Sequence, residues 1–366
     1  MSDAARLFQT VARLVNQFLP TLAEEHRVTL SYLMTGLLKG QQVHLKEIAD
    51  AVKYPHKKMS LVDRFRRFLR NDQIVIKSHY LPFLELILTA LSREQLVLMI
   101  DVTPLGGNCQ CLMVSVLYKS RALPLAWVIV KGKKGHTAVA VQLALLEQVK
   151  GLLPETAQVV LLGDGEFDAS ELIEWLQHQP TWLYVCRTAT KLLVQVEGDW
   201  RPLAEHCPVP EKDRFLSQVW FTKTDAVGPL NILIAWNAQK QAHWCFVTNC
   251  ATQAEAQGWY QKRFTIETFF ADLKSRGFHL HRTRLFKPDR LSRLLLAVVL
   301  AYLFLVFLGV ELIVAGPLVQ LVRADRFEHS LFRLGRIYLN HLLNEGLLIP
   351  LLQRLRPPSS FAHVVL

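Results

Sequence analysis

Apolar residues recur at three- and four-residue spacing through the first 90 positions, with few β-branched runs, which predicts a set of helices. Within them, "HLKEIADAVKYPHKKMSLVDRFRRFLRND" (44–72) has the pattern of a helix-turn-helix. Leu45, Ile48, Ala49 and Val52 form the apolar face of a first helix, which Pro55 ends. Ser60 is placed to cap a second helix with Asp63 in its first turn. Leu61, Phe65, Phe68 and Leu69 make the inward stripe of that helix and leave Arg64, Arg66, Arg67 and Arg70 on the outside. Such an arc suits phosphate and groove contacts, although the same pattern also describes a solvated basic helix in a bundle.

The texture changes at residue 95. "EQLVLMID" (94–101) is an apolar run ending in an acid, and "QCLMVSVLYKS" and "RALPLAWVIVKG" read as two further strands. "HTAVAVQLALLEQVK" (136–150) is an amphipathic helix, "AQVVLLGD" (157–164) a buried strand ending in an acid, and "DASELIEWLQHQ" (168–179) a second helix. "TWLYVCRT" (181–188) closes the series. The order β-β-β-α-β-α-β, with acids ending the first and fourth strands, predicts an α/β ribonuclease-H-like mixed sheet. Residues 189–250 interrupt it with strand-like pieces between turns, a β-rich insertion. The chain thus divides into a helical domain with the helix-turn-helix at 1–90, expected to bind DNA if its basic arc meets phosphates, a ribonuclease-H-like domain at 91–188 and 251–315, the insertion at 189–250, and a helical C-terminal region at 316–366.

"LLLAVVLAYLFLVFLGV" (294–310) carries no charge over seventeen residues, near the lower limit for a membrane span. Glu311 follows directly and Arg290 and Arg293 precede it, so the segment is expected to be a helix buried against the catalytic sheet, with no membrane involved.

Composition adds a partner class. In 366 residues, 51% are hydrophobic and 20% charged, which excludes a mainly disordered chain and allows several domains. The net charge of +11 makes a polyanionic partner worth considering, although many basic proteins bind only water. The first twenty residues contain Asp3, Arg6 and Arg13 and no apolar signal core, and the six cysteines form no CxxC pair or zinc-type cluster. A reduced, cytoplasmic setting is expected.

The candidate chemistry lies in "YQKRFTIETFFADLK" (260–274). On a helix turning about 100° per residue, Arg263, Glu267 and Lys274 fall within about 60° of Tyr260, with Trp259, Ile266, Phe269, Phe270 and Leu273 on a different, apolar arc. Glu267 alone reads as a surface salt-bridge partner, and an Asp at a strand end as a turn former. Asp101, Asp164 and Glu267 together read as one site, because carboxylates on neighbouring strands repel and raise one another's pKa unless a cation intervenes. Hard oxygen ligands favour Mg²⁺ or Mn²⁺, and two such ions about 3.5–4 Å apart serve phosphodiester cleavage. Glu166 and Asp168 have a simpler explanation, in the dipole of the helix they precede.

The spacing of Tyr260, Arg263, Glu267 and Lys274 is Y-x2-R-x3-E-x6-K, and the chain resembles bacterial DDE transposases of the insertion-sequence-four group. The resemblance implies that Asp101, Asp164 and Glu267 are the catalytic, metal-binding acids. "GDGEFDASEL" is similar to that family's second-acid region, with Gly165 and Phe167 where members often carry Arg and Ala. It further implies a phosphate contact for Arg187 in "YVCRT", and a base-receiving Trp among Trp200, Trp220, Trp236 and Trp244. The resemblance also implies a nucleoid-associated homodimer that binds double-stranded terminal inverted repeats and target DNA, hydrolyses a strand at each transposon end and attacks with the 3′-hydroxyl, often through a hairpin intermediate. Tyr260, Arg263, Lys274, Arg64, Arg67, Arg276, Arg282 and Arg284 are then the expected DNA contacts. A nuclease of the same fold without strand transfer, and a non-catalytic DNA-binding relic, are the alternatives. Transesterification needs no ATP, and the chain has no GxxxxGK[ST] loop.

Overall fold

Five helices precede the first strand: α1 (Asp3–Phe18), α2 (Glu24–Gly40), α3 (Leu45–Asp50), α4 (Lys58–Arg70) and α5 (Ile76–Ala90). The structure is a computed structural model that describes residues 2–132, 137–315, 318–322 and 329–358. Helix α2 is buried along most of its length and hides Thr29, Ser31 and Thr35, each donating its hydroxyl to the carbonyl four residues back. That local bond satisfies a polar group where water does not reach.

Two features of the helix-turn-helix differ from expectation. Helix α4 begins at Lys58, so Ser60 lies inside its first turn and donates to the Lys57 carbonyl instead of capping. Arg64 is not outward: its Nε donates to Thr29 Oγ1 at 2.6 Å and its Nη2 to the Glu25 carbonyl at 2.8 Å. Arg66, Arg67 and Arg70 are exposed.

The sheet begins with β1 (Leu96–Pro104), β2 (Cys109–Tyr118) and β3 (Arg121–Lys131), followed by α6 (Val139–Lys150), β4 (Val159–Gly163), α7 (Ser170–Gln177) and β5 (Trp182–Thr188). Strand β1 pairs antiparallel with β2 and parallel with β4, β2 pairs antiparallel with β3, and β4 pairs parallel with β5. The resulting order β3-β2-β1-β4-β5 is the ribonuclease-H-like arrangement. Residues 189–250 supply β6 (Leu193–Val196), β7 (Asp199–Pro202), β8 (Arg214–Phe221), β9 (Val227–Asn237) and β10 (Ala242–Thr248). They extend the same sheet to ten strands, because β10 returns antiparallel beside β5.

The chain then forms α8 (Gln253–Tyr260), a 3-10 turn (Gln261–Phe264), α9 (Thr265–Leu273), α10 (Pro288–Val314), α11 (Leu318–Leu321) and α12 (Leu331–Asn344). Helix α10 holds the uncharged run, and every residue from 294 to 310 is buried, against β3 and against α2, α4, α5 and α12. It is long and apolar enough to cross a bilayer, yet 83% of its most apolar window lies inside the protein. Its crossing with α12 is a backbone contact: a Cβ on Gly335 would overlap the Leu305 carbonyl oxygen, and one on Gly309 the Leu331 carbonyl oxygen. At its start, the buried Arg293 donates to the Leu69 carbonyl at 3.0 Å and pairs with Asp72 at 2.5 Å, which ties the end of α4 to α10.

Candidate active site

Asp101 sits within β1, three residues before its end, and not at the strand terminus that the apolar run predicts. The strand continues because Val102 and Thr103 still pair with β2. Asp164 follows β4 directly, and the register Ile100↔Gly163 sets the two acids side by side on parallel neighbours. The Asp164 Oδ1 accepts from the Glu166 amide at 3.0 Å, and the fully buried Phe167 packs beside Gly163 to anchor the turn. That packing gives Phe167 a structural role in a position where an Ala would leave space.

Glu267 stands in the first turn of α9. Arg263, in the preceding 3-10 turn, joins it to β1: Nη1 lies 3.4 Å from Asp101 Oδ2 and Nη2 2.5 Å from Glu267 Oε1. Asp101 and Arg263 are buried while the Glu267 side chain is half exposed. Burial, and next the negative charge of Asp164, push the Asp101 carboxyl up to about 7, with Arg263 opposing. Two carboxylates sharing a site therefore carry the electrostatic conflict expected of them.

The four-residue stripe is not one continuous line. The 3-10 turn between α8 and α9 advances about 120° per residue, which breaks the constant 100° step. Tyr260 ends α8, buried with its ring 4.4 Å from that of Phe246. Lys274 lies just past α9 with non-helical dihedrals and donates to Thr103 Oγ1 at 2.5 Å. Arg263 bridges carboxylates and Tyr260 is packed inward, in place of the outward phosphate-facing row. Thr103 was not anticipated, although two-residue alternation along β1 sets it on the face of Asp101.

Other expected contacts are dispersed. Arg187 lies on β5 with its guanidinium 4.1 Å over the Trp244 ring, so that Trp is covered by an arginine. Trp236 meets His243 edge-on, and Trp220 is 40% exposed. Arg67 lines a hollow with Arg64, Tyr54 and Asn71. Arg284 joins Arg66, Arg70, Lys46 and Arg290 in a cavity of about 340 Å³ between the helix-turn-helix and the segment before α10. Arg282 is exposed nearby in sequence, whereas Arg276 lines a separate pocket against α12. Asp168 accepts from Thr188 Oγ1 at 2.8 Å, and burial raises its pKa, so it braces the turn against β5.

Among the described residues, no three His, Cys, Asp or Glu side chains converge as a ready metal cage. The donor chemistry nonetheless fits a hard divalent cation: Asp101 and Asp164 are adjacent oxygen donors whose mutual repulsion a cation relieves. Arg263 engages the Oε1 of Glu267, whose side chain is half exposed beside these two acids.

Residues 95–304, more than half of the chain, match the family model described as a transposase DDE domain. No curated protein matches the sequence. Among solved structures, the chain is similar to a piggyBac transposase synaptic complex with hairpin DNA determined by cryo-EM. That similarity has 11% identity and a TM-score of 0.46, and covers 93% of this chain and 78% of the other.

Proposed function

The chain belongs to the transposase DDE domain family, and from that premise we propose that it cuts transposon ends and joins them to target DNA at Asp101, Asp164 and Glu267. One observation carries the reading: Asp101 on β1 and Asp164 at the end of its parallel neighbour β4 stand side by side, and Arg263 joins Glu267 to the first of them. The Y-x2-R-x3-E-x6-K spacing supports placement in the insertion-sequence-four group.

Asp101, Asp164 and Glu267 would hold two Mg²⁺ or Mn²⁺ ions, which supply activation of a water or hydroxyl and stabilisation of the leaving oxygen. The protein's own share is positioning. Strand β1, buried over nearly its full length, fixes Asp101, and the Phe167 anchor fixes Asp164. Arg263 neutralises part of the carboxylate charge until Glu267 is needed. Lys274, held by Thr103, and Arg187, stacked on Trp244, place cations for the scissile strand. In the joining step the 3′-hydroxyl of the cut end forms a new P–O bond as the target's P–O bond breaks, so no nucleotide energy source is required.

Residues 1–90 would read the terminal inverted repeats, 189–250 would contact the ends, and a homodimer would pair them in the bacterial cytoplasm on the nucleoid. Purified protein with Mg²⁺ or Mn²⁺, labelled ends and a target plasmid is expected to yield cut ends and joined products, and Glu267→Gln neither. Cut ends that never join the plasmid would favour the nuclease reading. Intact DNA with both metals would sink the catalytic one.

The groove lined by Lys46, Arg66, Arg70, Arg284 and Arg290 is the second DNA surface in this reading. Replacing Arg66 and Arg70 by Ala is expected to weaken duplex binding and reduce the log–log salt slope by roughly 2. An unchanged slope would remove that groove from the DNA path.

A further inference from the structure

Four guanidinium groups, from Arg121, Arg276, Arg333 and Arg336, line one cavity of about 630 Å³ with a single carboxylate, that of Asp272. Arg121 begins β3, Asp272 lies on α9, and Arg333 and Arg336 are on the first turns of α12. Asp272 cannot balance this charge. It is buried, with Oδ2 3.5 Å from Arg121 Nη1, and burial pushes its carboxyl up to about 6. Arg121 Nε is buried without a hydrogen-bond partner among the described residues. Arg336 donates to the Arg276 carbonyl at 2.7 Å, and burial and the neighbouring Arg333 push its pKa down. Crowded, partly desolvated cations of this kind are stabilised by an incoming anion with several acceptor oxygens, and guanidinium forks match a phosphate.

None of Asp101, Asp164, Glu267 and Lys274 lines the cavity. Asp272 follows Glu267 by five residues on α9, which turns it about 140° around the helix. A phosphate held here belongs to a different stretch of nucleic acid from the one at the carboxylates. We propose that the Arg121–Arg276–Arg333–Arg336 pocket grips a backbone phosphate of a second duplex segment, one that runs behind α9 away from the cleavage site. This rests on the DNA-processing reading of the carboxylate site.

The test uses the full chain and duplexes of increasing length over a salt series. Arg333→Ala with Arg336→Ala, and the exposed single change Arg333→Glu as a fold-safe second variant, are compared with the wild type. Duplexes too short to pass behind α9 are expected to bind all three proteins alike. On long duplexes the variants are expected to lose about tenfold in affinity, with the salt slope smaller by roughly 1–2. Equal affinity and slope on long duplexes would overturn the pocket assignment while leaving the carboxylate site standing. A wild type that binds no duplex of any length would overturn the DNA reading and this proposal together. Inorganic phosphate tests the other source of the same chemistry. If it raises the Tm of the wild type alone while long duplexes bind all proteins equally, the pocket takes free phosphate and the DNA assignment is wrong.

Discussion

Asp101→Asn is expected to leave a protein that no longer cuts DNA yet unfolds at a higher temperature than the wild type in divalent-free buffer at pH 8. The loss of activity should be on the order of 10³-fold or more, equivalent to roughly 4 kcal/mol of barrier, because a neutral amide cannot replace a buried anionic oxygen donor. The gain in stability comes from the same burial. The Asp101 carboxyl is raised from 3.8 to about 7 in the folded protein. Between those values the folded state binds more protons than the unfolded state, so stability falls as pH rises through that window and stays lost above it. A shift of this size sets a ceiling of about 4 kcal/mol. The net gain is smaller, since Asn gives up the ion pair with Arg263. Thermal unfolding in chelator at pH 5 and pH 8 checks the sign: the advantage of Asn should be larger at pH 8. An equal shift at both values would mean that the ionised Asp101 costs the fold nothing.

The second large effect is structural. Gly335→Ala is expected to cost more than about 4 kcal/mol, because the added methyl meets a main-chain carbonyl that no rotamer change can move aside. Either α12 lifts off α10 or α10 bends, and both expose the apolar surface that buries the 294–310 run. Gly258 is the matched control, a helical glycine with open space where its Cβ would stand. Gly258→Ala should change stability by about 1 kcal/mol or less, in the favourable direction, since Ala is the better helix former. Urea unfolding of the two variants separates backbone contact from helix propensity. Similar losses in both would mean that the α10–α12 crossing can relax.

The strands were readable because β1, β2 and β4 are buried on both faces and so appear as apolar runs, each long enough to recognise. Asp101 and Asp164 stood out as acids against those runs, and their pairing followed from strand order. What escaped the sequence depends on geometry that no single segment contains. The 3-10 turn at Gln261–Phe264 leaves no mark in residue type, so a constant helical step carried Tyr260 and Lys274 into a row they do not form. Arg64 was assigned outward from the pattern of α4 alone, but its acceptors, Thr29 and the Glu25 carbonyl, belong to α2. The return of β10 to the side of β5 is likewise a choice of partner, and alternation along 242–248 is silent about partners. Helix α10 was ambiguous by length and composition, and its packing on β3, α2 and α12 decides the matter.

The contact between Arg263 and Asp101 spans 162 residues of chain. A polypeptide growing on the ribosome from its N-terminus therefore possesses Asp101 and Asp164 well before it possesses their third partner. Every product of interrupted synthesis that stops before residue 263 lacks both Glu267 and the arginine that seats it. On the proposed reading, such fragments would carry the first helices and most strands of the sheet without a complete set of acids. If Glu267 completes the site as proposed, cutting competence would arrive only once residue 267 of 366 has been made, so shorter products would be unable to break a strand.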